Sequence, residues 1–172
     1  MVRDGWAPGV VGEVVRAHAA FYAREWGFSP FFEAKVAREM GDFLFRYDPA
    51  KDRLIRAEDE GNSGCFLVSL TIDGGDPEFA DGVAHLRWFI VADGARGRGV
   101  GGALMREALG FLAGAGFRSC FLRTFAGLHP ARHLYEGAGF VLDRESEAES
   151  WGTRVVEQRF TLDLAGAARP YR

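Results

Sequence analysis

The segment Val83–Val91 reads VAHLRWFIV, and the run Arg96-Gly97-Arg98-Gly99-Val100-Gly101-Gly102 follows shortly after it. Bulky apolar residues fill the first stretch too densely for an edge strand exposed on both faces, which predicts a central strand. After Gly99 the apolar residues recur with helical spacing. The order of strand, glycine-rich loop and helix leaves free backbone N–H groups at a helix N-terminus, and it therefore predicts a phosphate-binding loop.

The loop carries further signs of anion binding, although two other nucleotide motifs compete with this interpretation. Its glycines permit positive φ angles and close approach of an anion, while Arg96 and Arg98 can add charge-assisted hydrogen bonds. The spacing Gly97-x-Gly99-x-x-Gly102 also fits a dinucleotide fingerprint, which expects an acidic residue about 20 positions further on. That region reads Phe121-Leu122-Arg123-Thr124 and has no acid. The Lys-Ser/Thr ending of a P-loop is absent as well, so both rivals stay open as weaker alternatives.

Two helices and a hairpin are predicted before the central strand. Apolar residues spaced by about three and four positions predict a first helix over Val10–Trp26. Ser29-Pro30 is typical of a helix start, and this second helix should end before Asp48-Pro49. Residues 53–57 and 65–70 flank a polar loop and predict two paired strands.

Alternating strands and helices are also predicted after the glycine-rich loop. The helix that follows Gly99 should end at Gly114-Ala115-Gly116. The remaining predicted elements are a strand over residues 117–124, a short helix over 129–138 and two final strands over 140–142 and 154–164.

Length and charge limit the classes of function. A chain of 172 residues with 48% hydrophobic content predicts a single domain over residues 1–172. The formal net charge of -3 provides no diffuse positive field, which argues against nucleic acid or an anionic membrane as a partner. The N-terminus does not resemble a secretory signal, and no apolar run approaches the roughly 20 residues of a membrane span. We therefore expect a cytoplasmic protein.

The two cysteines, Cys65 and Cys120, suggest neither a disulfide framework nor a metal site. We predict that both are buried thiols in a reducing compartment, and we predict no bound metal.

Two motifs in this order resemble the GNAT superfamily of acyl-CoA-dependent N-acetyltransferases. The family pattern Arg/Gln-x-x-Gly-x-Gly/Ala after the fourth strand is filled by Arg96, Gly99 and Gly101. A second pattern, Asn-x-x-Ala-x-x-x-Tyr-x-x-x-Gly-Phe, is similar to the later segment, which departs from it at one position. The residues that keep its register are Ala131, Tyr135, Gly139 and Phe140. Leu128 stands at the Asn position, and the neighbouring His129 is the candidate to replace the Asn as a contact to the cofactor.

The resemblance implies an α/β (α+β) fold, with a mixed, mostly antiparallel sheet flanked by helices. It also implies acetyl-CoA as the cofactor. The segments Leu86-Arg87-Trp88-Phe89 and His133-Leu134-Tyr135-Glu136 are similar to acetyltransferase domains fused to winged-helix regulators of the MarR type, although this chain has no room for the DNA-binding part.

The same resemblance assigns roles in acetyl transfer. Tyr135 corresponds to the family's general acid near the coenzyme sulfur. His85 lies where several members carry a catalytic base, although an ordered water chain is the alternative. A backbone N–H between Phe89 and Val91 would polarise the thioester oxygen. The residues expected to contact acetyl-CoA are Phe89, Ile90, Val91, Arg96, Gly97, Arg98, Gly99, Val100, Gly101, Gly102, His129, Ala131 and Tyr135.

Candidate acceptor contacts come from the central strand and from the first two helices. Strand alternation predicts that His85, Arg87 and Phe89 share one face, where Arg87 could bind a substrate carboxylate. Glu25, Phe28 and Phe32, together with Trp26 and Phe31, lie where the family's acceptor loop falls.

The expected partner is a small-molecule amine or amino-acid-like compound. Acetylation of protein lysines or N-termini is the close alternative, and a silent acetyl-CoA sensor is another. A nicotinamide-dependent reductase would require the dinucleotide interpretation of the loop. Homodimer formation stays open.

Overall fold

The computed structural model describes residues 2–58 and 66–165, and it gives only the backbone of residues 66–68. Seven strands form one sheet in the order β1-β2-β3-β4-β5-β7-β6. All neighbouring strands are antiparallel except β4 and β5, which are parallel. This mixed, mostly antiparallel sheet confirms the predicted fold class. The strands are β1 (Val2–Asp4), β2 (Arg53–Glu58), β3 (Phe66–Asp73), β4 (Val83–Val91), β5 (Ser119–Phe125), β6 (Val141–Ala148) and β7 (Val155–Asp163).

Within the described ranges, four α-helices cover the sheet: α1 (Val10–Trp26), α2 (Pro30–Phe45), α3 (Val100–Gly114) and α4 (His129–Gly137). The first helix buries Val10, Val14 and His18 at successive spacings of four, which makes one apolar stripe. It ends at Gly27, whose φ of 66° suits the left-handed cap of a helix. Pro30 occupies the first turn of α2 after Ser29, as predicted.

The sheet separates two apolar layers. Leu86, Leu122 and Phe160 pack in the same cluster as residues of α3 and α4. Trp88 and Phe125 belong to a second cluster with residues of α1 and α2. One face of the sheet therefore meets α3 and α4, and the other meets α1 and α2.

A β-bulge interrupts strand β4 at Trp88. Thr71 of β3 pairs with Arg87, whereas Ser69 pairs with Ile90, so β4 contains one extra residue between these pairs. Trp88 has a φ of 47°, which is unusual for a bulky residue, and its carbonyl accepts a hydrogen bond from Ser69 Oγ at 3.3 Å.

The bulge overturns the prediction that Phe89 shares a face with His85 and Arg87. Trp88 packs with the α1 and α2 cluster, whereas Phe89 packs with the α3 and α4 cluster. The extra residue shifts the alternation by one position, and side chains after it point to the opposite face.

Strands β4 and β5 diverge after a short paired segment. Their pairing runs from Val83 opposite Ser119 to Leu86 opposite Leu122 and goes no further within the described residues. From Arg87 onward, β4 therefore lacks a strand neighbour on this side, and a cleft opens between the two strands.

Other elements differ from the predictions at the ends of the sheet. Strand β6 continues to Ala148, whereas the sequence predicted a strand only over residues 140–142. The prediction was too short because the side chains of β6 are largely exposed and show no apolar alternation. Strand β1 and a 3₁₀ turn over Asp93–Ala95 were not predicted. Cys120 is buried as predicted, and burial raises the pKa of its thiol to about 12. Cys65 and the predicted polar loop of the hairpin lie outside the described residues.

None of the helices in residues 2–58 and 66–165 is both long and apolar enough to span a membrane. The single-domain organisation, the cytoplasmic setting and the question of a homodimer stay predictions.

Gly74 should be sensitive to substitution by alanine. A Cβ there would lie 2.3 Å from the Lys51 carbonyl oxygen and 2.4 Å from the Phe117 ring. Its N–H also donates to Asp52 Oδ1 at 2.9 Å, which limits how far the backbone can retreat. We expect Gly74→Ala to lower stability by about 1–3 kcal/mol, measured as a fall in Tm of about 2–10 °C.

Gly110→Ala is the matched control, because a Cβ at this position in α3 meets nothing within 4 Å. It should raise Tm by up to about 4 °C through better helix propensity. An unchanged Tm in Gly74→Ala would contradict the close packing described here.

Candidate functional site

The glycine-rich loop begins helix α3 with its backbone N–H groups available. Gly97 and Gly99 both have a φ of 74°, a left-handed conformation that glycine adopts without strain. Gly99 is the N-cap residue, and no side chain of the described residues caps the helix. The first-turn N–H groups of Val100, Gly101 and Gly102 have no acceptor within an α-helix. Open space surrounds the Cβ positions of Gly97 and Gly99, so a phosphate fits against this backbone.

The two loop arginines are placed differently. Arg96 forms an ion pair with Asp93 at 3.0 Å, and its guanidinium lies 4.5 Å from the centre of the Phe21 ring. Arg98 is exposed and makes no ion pair within the described residues. Arg96 thus anchors the loop to α1, while Arg98 is free to meet an incoming anion.

Strand β4 and helix α4 pack against the start of helix α3, directly after the loop. A Cβ on Gly101 would lie 3.4 Å from both Phe89 and Val91, so the first turn of α3 packs closely on the end of β4. Ala131 packs at the edge of the α3 and α4 cluster, whereas His129 is exposed at the start of α4.

A cavity of about 370 Å³ occupies the cleft between β4 and β5. Its walls come from α1, α2, β4, β5, α4 and the β6–β7 hairpin. His85, Arg87, Phe89, Tyr135 and Phe32 line it, which brings together predicted residues from three separate segments, β4, α4 and α2. Ile90, His129 and Ala131 do not line this cavity.

Tyr135 of α4 is buried and lines the cavity. Its ring lies among Phe89, Phe140 and Phe160, with centroids 6.2, 6.3 and 6.2 Å away. Burial, with a further contribution from Tyr22, raises the pKa of the Tyr135 phenol, which is therefore protonated at neutral pH. The described residues contain no buried side-chain polar atom without a partner. Since the Tyr135 hydroxyl makes no hydrogen bond with the described residues, it opens to the cavity.

His85 is buried on β4 and forms a hydrogen bond with a carboxylate that the sequence did not reveal. Its Nδ1 lies 3.0 Å from Asp76 Oδ2, and its ring stacks on Phe121 at 4.2 Å. Because a carboxylate only accepts, Nδ1 carries the proton and Nε2 keeps its lone pair. Burial lowers the pKa of His85 and outweighs the opposing effect of Asp76, so the ring is neutral at neutral pH.

Asp76 is suited to this role because it stays ionised. Its own burial favours the neutral acid, but hydrogen bonds from His85 and the Glu78 N–H, with the charge of Arg87, lower its pKa to about 2. Asp76 and His85 therefore form a fixed pair of a carboxylate and a neutral imidazole.

Arg87 lines the cavity, but its charge is already compensated by the protein. Its guanidinium bonds to Glu39, and it lies 3.4 Å from Asp73. Asp73 is fully buried and also accepts two hydrogen bonds from Arg46, at 2.7 and 2.5 Å. The predicted contact between Arg87 and a substrate carboxylate would have to compete with these acids.

Of the three acceptor contacts predicted at the first two helices, one lines the cavity and two do not. Phe32 lines the cavity and packs on Tyr22, with ring centroids 5.1 Å apart. Phe28 is buried behind it, and Glu25 is exposed and bonded to Arg24. The structure brings neither Phe28 nor Glu25 into the cavity lining.

His18 and Tyr22 of α1 also line the cavity, and the sequence analysis missed them. His18 Nδ1 donates to the Val14 carbonyl at 2.8 Å, and burial lowers the pKa of His18 to about 4. Burial raises the pKa of Tyr22 to about 12. The signal was present, because a histidine interrupts the apolar stripe of α1 one turn before Tyr22.

Comparison with known proteins identifies the family. The model of the acetyltransferase (GNAT) family matches residues 14–140. No curated protein sequence matches the chain. A GCN5-related N-acetyltransferase from Kribbella flavida is similar in structure, with 22% identity, a TM-score of 0.73, and coverage of 95% of this chain and 97% of that chain.

Two further solved structures carry names that specify different acceptors. A ribosomal-protein-alanine N-acetyltransferase from Brucella melitensis has 15% identity and a TM-score of 0.73, and 95% of this chain and 99% of that chain are covered. A variant of a spermidine N-acetyltransferase from Vibrio cholerae has 19% identity and a TM-score of 0.61, with coverage of 95% and 94%. At these identities the likeness concerns the fold.

The family match covers more than half of the chain and includes the glycine-rich loop, the splayed strands and α4. The predicted resemblance is thereby confirmed, while the similarity to MarR-fused domains stays a prediction. The chain belongs to the GNAT family of acetyltransferases.

Proposed function

We propose that this protein is an acetyl-CoA-dependent N-acetyltransferase that acts on a primary amine of a small molecule by direct transfer. One observation carries the proposal: a single cavity is lined by both His85 and Tyr135, and Phe89 in its wall lies against Gly101 of the glycine-rich loop. A base and an acid thus lie in one chamber, as amine acetylation requires.

Acetyl-CoA would be held by the loop and the end of β4. The N–H groups of α3 and the side chain of Arg98 suit its pyrophosphate, and Phe89 and Val91 form the floor beside Gly101. When bound, this cofactor supplies an activated acetyl thioester. The edge of β4 beyond Leu86 lacks a strand partner in the described residues, so its backbone N–H groups can polarise a carbonyl oxygen in the cleft.

His85 would act as the base on the acceptor side. An amine with an ordinary pKa near 10.4 is protonated at neutral pH, and it must lose a proton before its nitrogen can attack. Nε2 of His85 has a free lone pair because Asp76 holds the Nδ1–H. We infer that His85 accepts the proton, while Asp76 fixes the ring and stabilises the imidazolium that forms.

Tyr135 would act on the leaving sulfur. Its raised pKa lies above that of a thiol, near 8.5 for cysteine, so complete transfer of its proton is uphill. Tyr135 therefore contributes first as a hydrogen-bond donor that stabilises the developing thiolate.

The pyrophosphate role of the loop can be separated from its effect on folding. Arg98→Ala removes a charge-assisted hydrogen bond and should raise the Kd for acetyl-CoA about 10- to 100-fold. Acetyl-pantetheine has the same thioester but no pyrophosphate, so its KM should not change. Arg38→Ala, an exposed change on α2, is the control. Equal weakening of both donors would contradict the assignment.

The enzymatic proposal itself is tested by thiol release from acetyl-CoA with a broad panel of primary amines. We expect turnover with at least one small amine and an N-acetylated product by mass spectrometry. Turnover only with peptides would instead support protein acetylation. Binding of acetyl-CoA without any turnover would support a sensor and contradict the enzymatic proposal.

A further inference from the structure

Three arginines stand side by side across strands β5, β7 and β6. Arg123 pairs directly with Arg159, and Arg159 pairs directly with Arg144. Directly opposed residues of antiparallel strands share one face, with Cβ atoms about 5 Å apart. All three line the cavity. We call Arg123, Arg144 and Arg159 the arginine row.

The arginine row is only partly neutralised by the protein. Arg159 makes two hydrogen bonds with Asp143, at 2.9 and 2.7 Å. Among the described residues, Arg123 has only Glu78 as an ion-pair partner, at 3.4 Å, and the Glu78 side chain is 65% exposed. Arg144 has no ion-pair partner in the described part of the chain. Opposed like charges destabilise a sheet, so this arrangement has a cost that a bound anion would offset.

The charged residues that line the cavity include more basic than acidic side chains. Its basic lining residues are Lys35, Arg87, Arg123, Arg144 and Arg159, and its acidic ones are Glu39 and Glu157. Glu39 contacts both Lys35 and Arg87, while Glu157 accepts the Ser150 N–H at 2.9 Å. Excess positive charge therefore lies on the β5–β7–β6 side, away from Arg87.

The arginine row is also next to the proposed base. His85 pairs with Phe121, and Arg123 is two residues further along β5 on the same face. Two residues of a strand span about 7 Å, which is the scale of an amino acid. The Arg123 guanidinium lies 5.9 Å from the centre of the Phe121 ring, on which His85 stacks.

We propose that the arginine row binds an anionic group of the acceptor, so that the acceptor is a small amine carrying a carboxylate or a comparable oxyanion. This proposal rests on the proposed function. It moves the predicted carboxylate contact from Arg87 to the arginine row, because Glu39 and Asp73 already engage Arg87.

The first test compares each L-amino acid with its amide and with the amine left after decarboxylation. Aminophosphonates form a further arm that distinguishes carboxylate from phosphonate. For the unmodified protein, the KM of the amino acid should be at least about 10-fold lower than the KM of its amide or of its decarboxylated amine. Arg159→Gln and Arg144→Gln should each remove about that preference by raising the KM of the anionic compound, with the Kd for acetyl-CoA unchanged. Arg38→Gln, on exposed α2 surface, should keep it.

Calorimetric titration of the same compounds into the protein with bound coenzyme A provides a readout apart from activity. Binding that favours the anionic compounds and is lost in Arg159→Gln would support the arginine row even if no amine were acetylated; the proposed function alone would then fail. Turnover that does not distinguish acids from amides, or variants that weaken both alike, would overturn the arginine row and leave the acetyltransferase proposal standing.

Discussion

Tyr135→Phe is expected to lower kcat by about 100- to 1000-fold, with little change in the Kd for acetyl-CoA. The hydroxyl opens to the cavity and makes no hydrogen bond with the described residues, so its removal leaves no protein group unpaired. The ring stays among Phe89, Phe140 and Phe160, and packing should be preserved. Single-turnover kinetics with a fixed amine acceptor would measure the loss in the chemical step.

Tyr47→Phe is the matched control, because this tyrosine packs on Phe43 and does not line the cavity. It should turn over at the parent rate. Tyr22 lines the same cavity and is the competing donor. A normal rate for Tyr135→Phe together with a large loss in Tyr22→Phe would transfer the role of acid to Tyr22.

His85→Gln should lower kcat/KM by about 100- to 10,000-fold and remove the acidic limb of its pH profile. The limb arises because only neutral His85 can accept a proton. Burial lowers the pKa of His85 below its usual 6.5, so activity should persist down to pH 6.5 and fall below it. Initial rates at subsaturating acceptor between pH 4.5 and 9 would measure both effects.

Asp76→Asn separates positioning from proton transfer. The hydrogen bond and charge of Asp76 raise the pKa of His85 against the effect of burial. Without that charge, the acidic limb should move to lower pH and the rate should fall, because the imidazole becomes a weaker base. His133→Gln, on the exposed side of α4, should change neither quantity.

A pH profile of His85→Gln that matches the parent profile would contradict the role of His85 and favour a water chain as the base.

Patterns within single elements were predictable from the sequence. The glycine-rich loop, α1 and the start of α2 each follow from local spacing and capping residues. Strand β6 was cut short because its exposed residues carry no apolar alternation. The alternation of β4 failed at one residue, since nothing in the sequence marks Trp88 as a bulge with positive φ.

The cavity itself was harder to predict because it depends on register between strands far apart in the chain. Asp76 meets His85 across a loop, and Arg123 and Arg144 meet only through Arg159. Glu25 was predicted as a contact because it lies where the family's acceptor loop falls, yet its side chain is exposed and bonded to Arg24. Cross-strand neighbours of this kind require the folded sheet.

The bulge at Trp88 affects how such a protein can diverge. His85 and Arg87 line the cavity before the bulge, and Phe89 lines it after the bulge while also packing against the α3 and α4 cluster. Substitutions at His85 or Arg87 can therefore alter the polar lining of the cavity while Phe89 keeps its packing against α3 and α4. Two solved structures of similar fold carry names that specify a ribosomal-protein alanine and spermidine as acceptors.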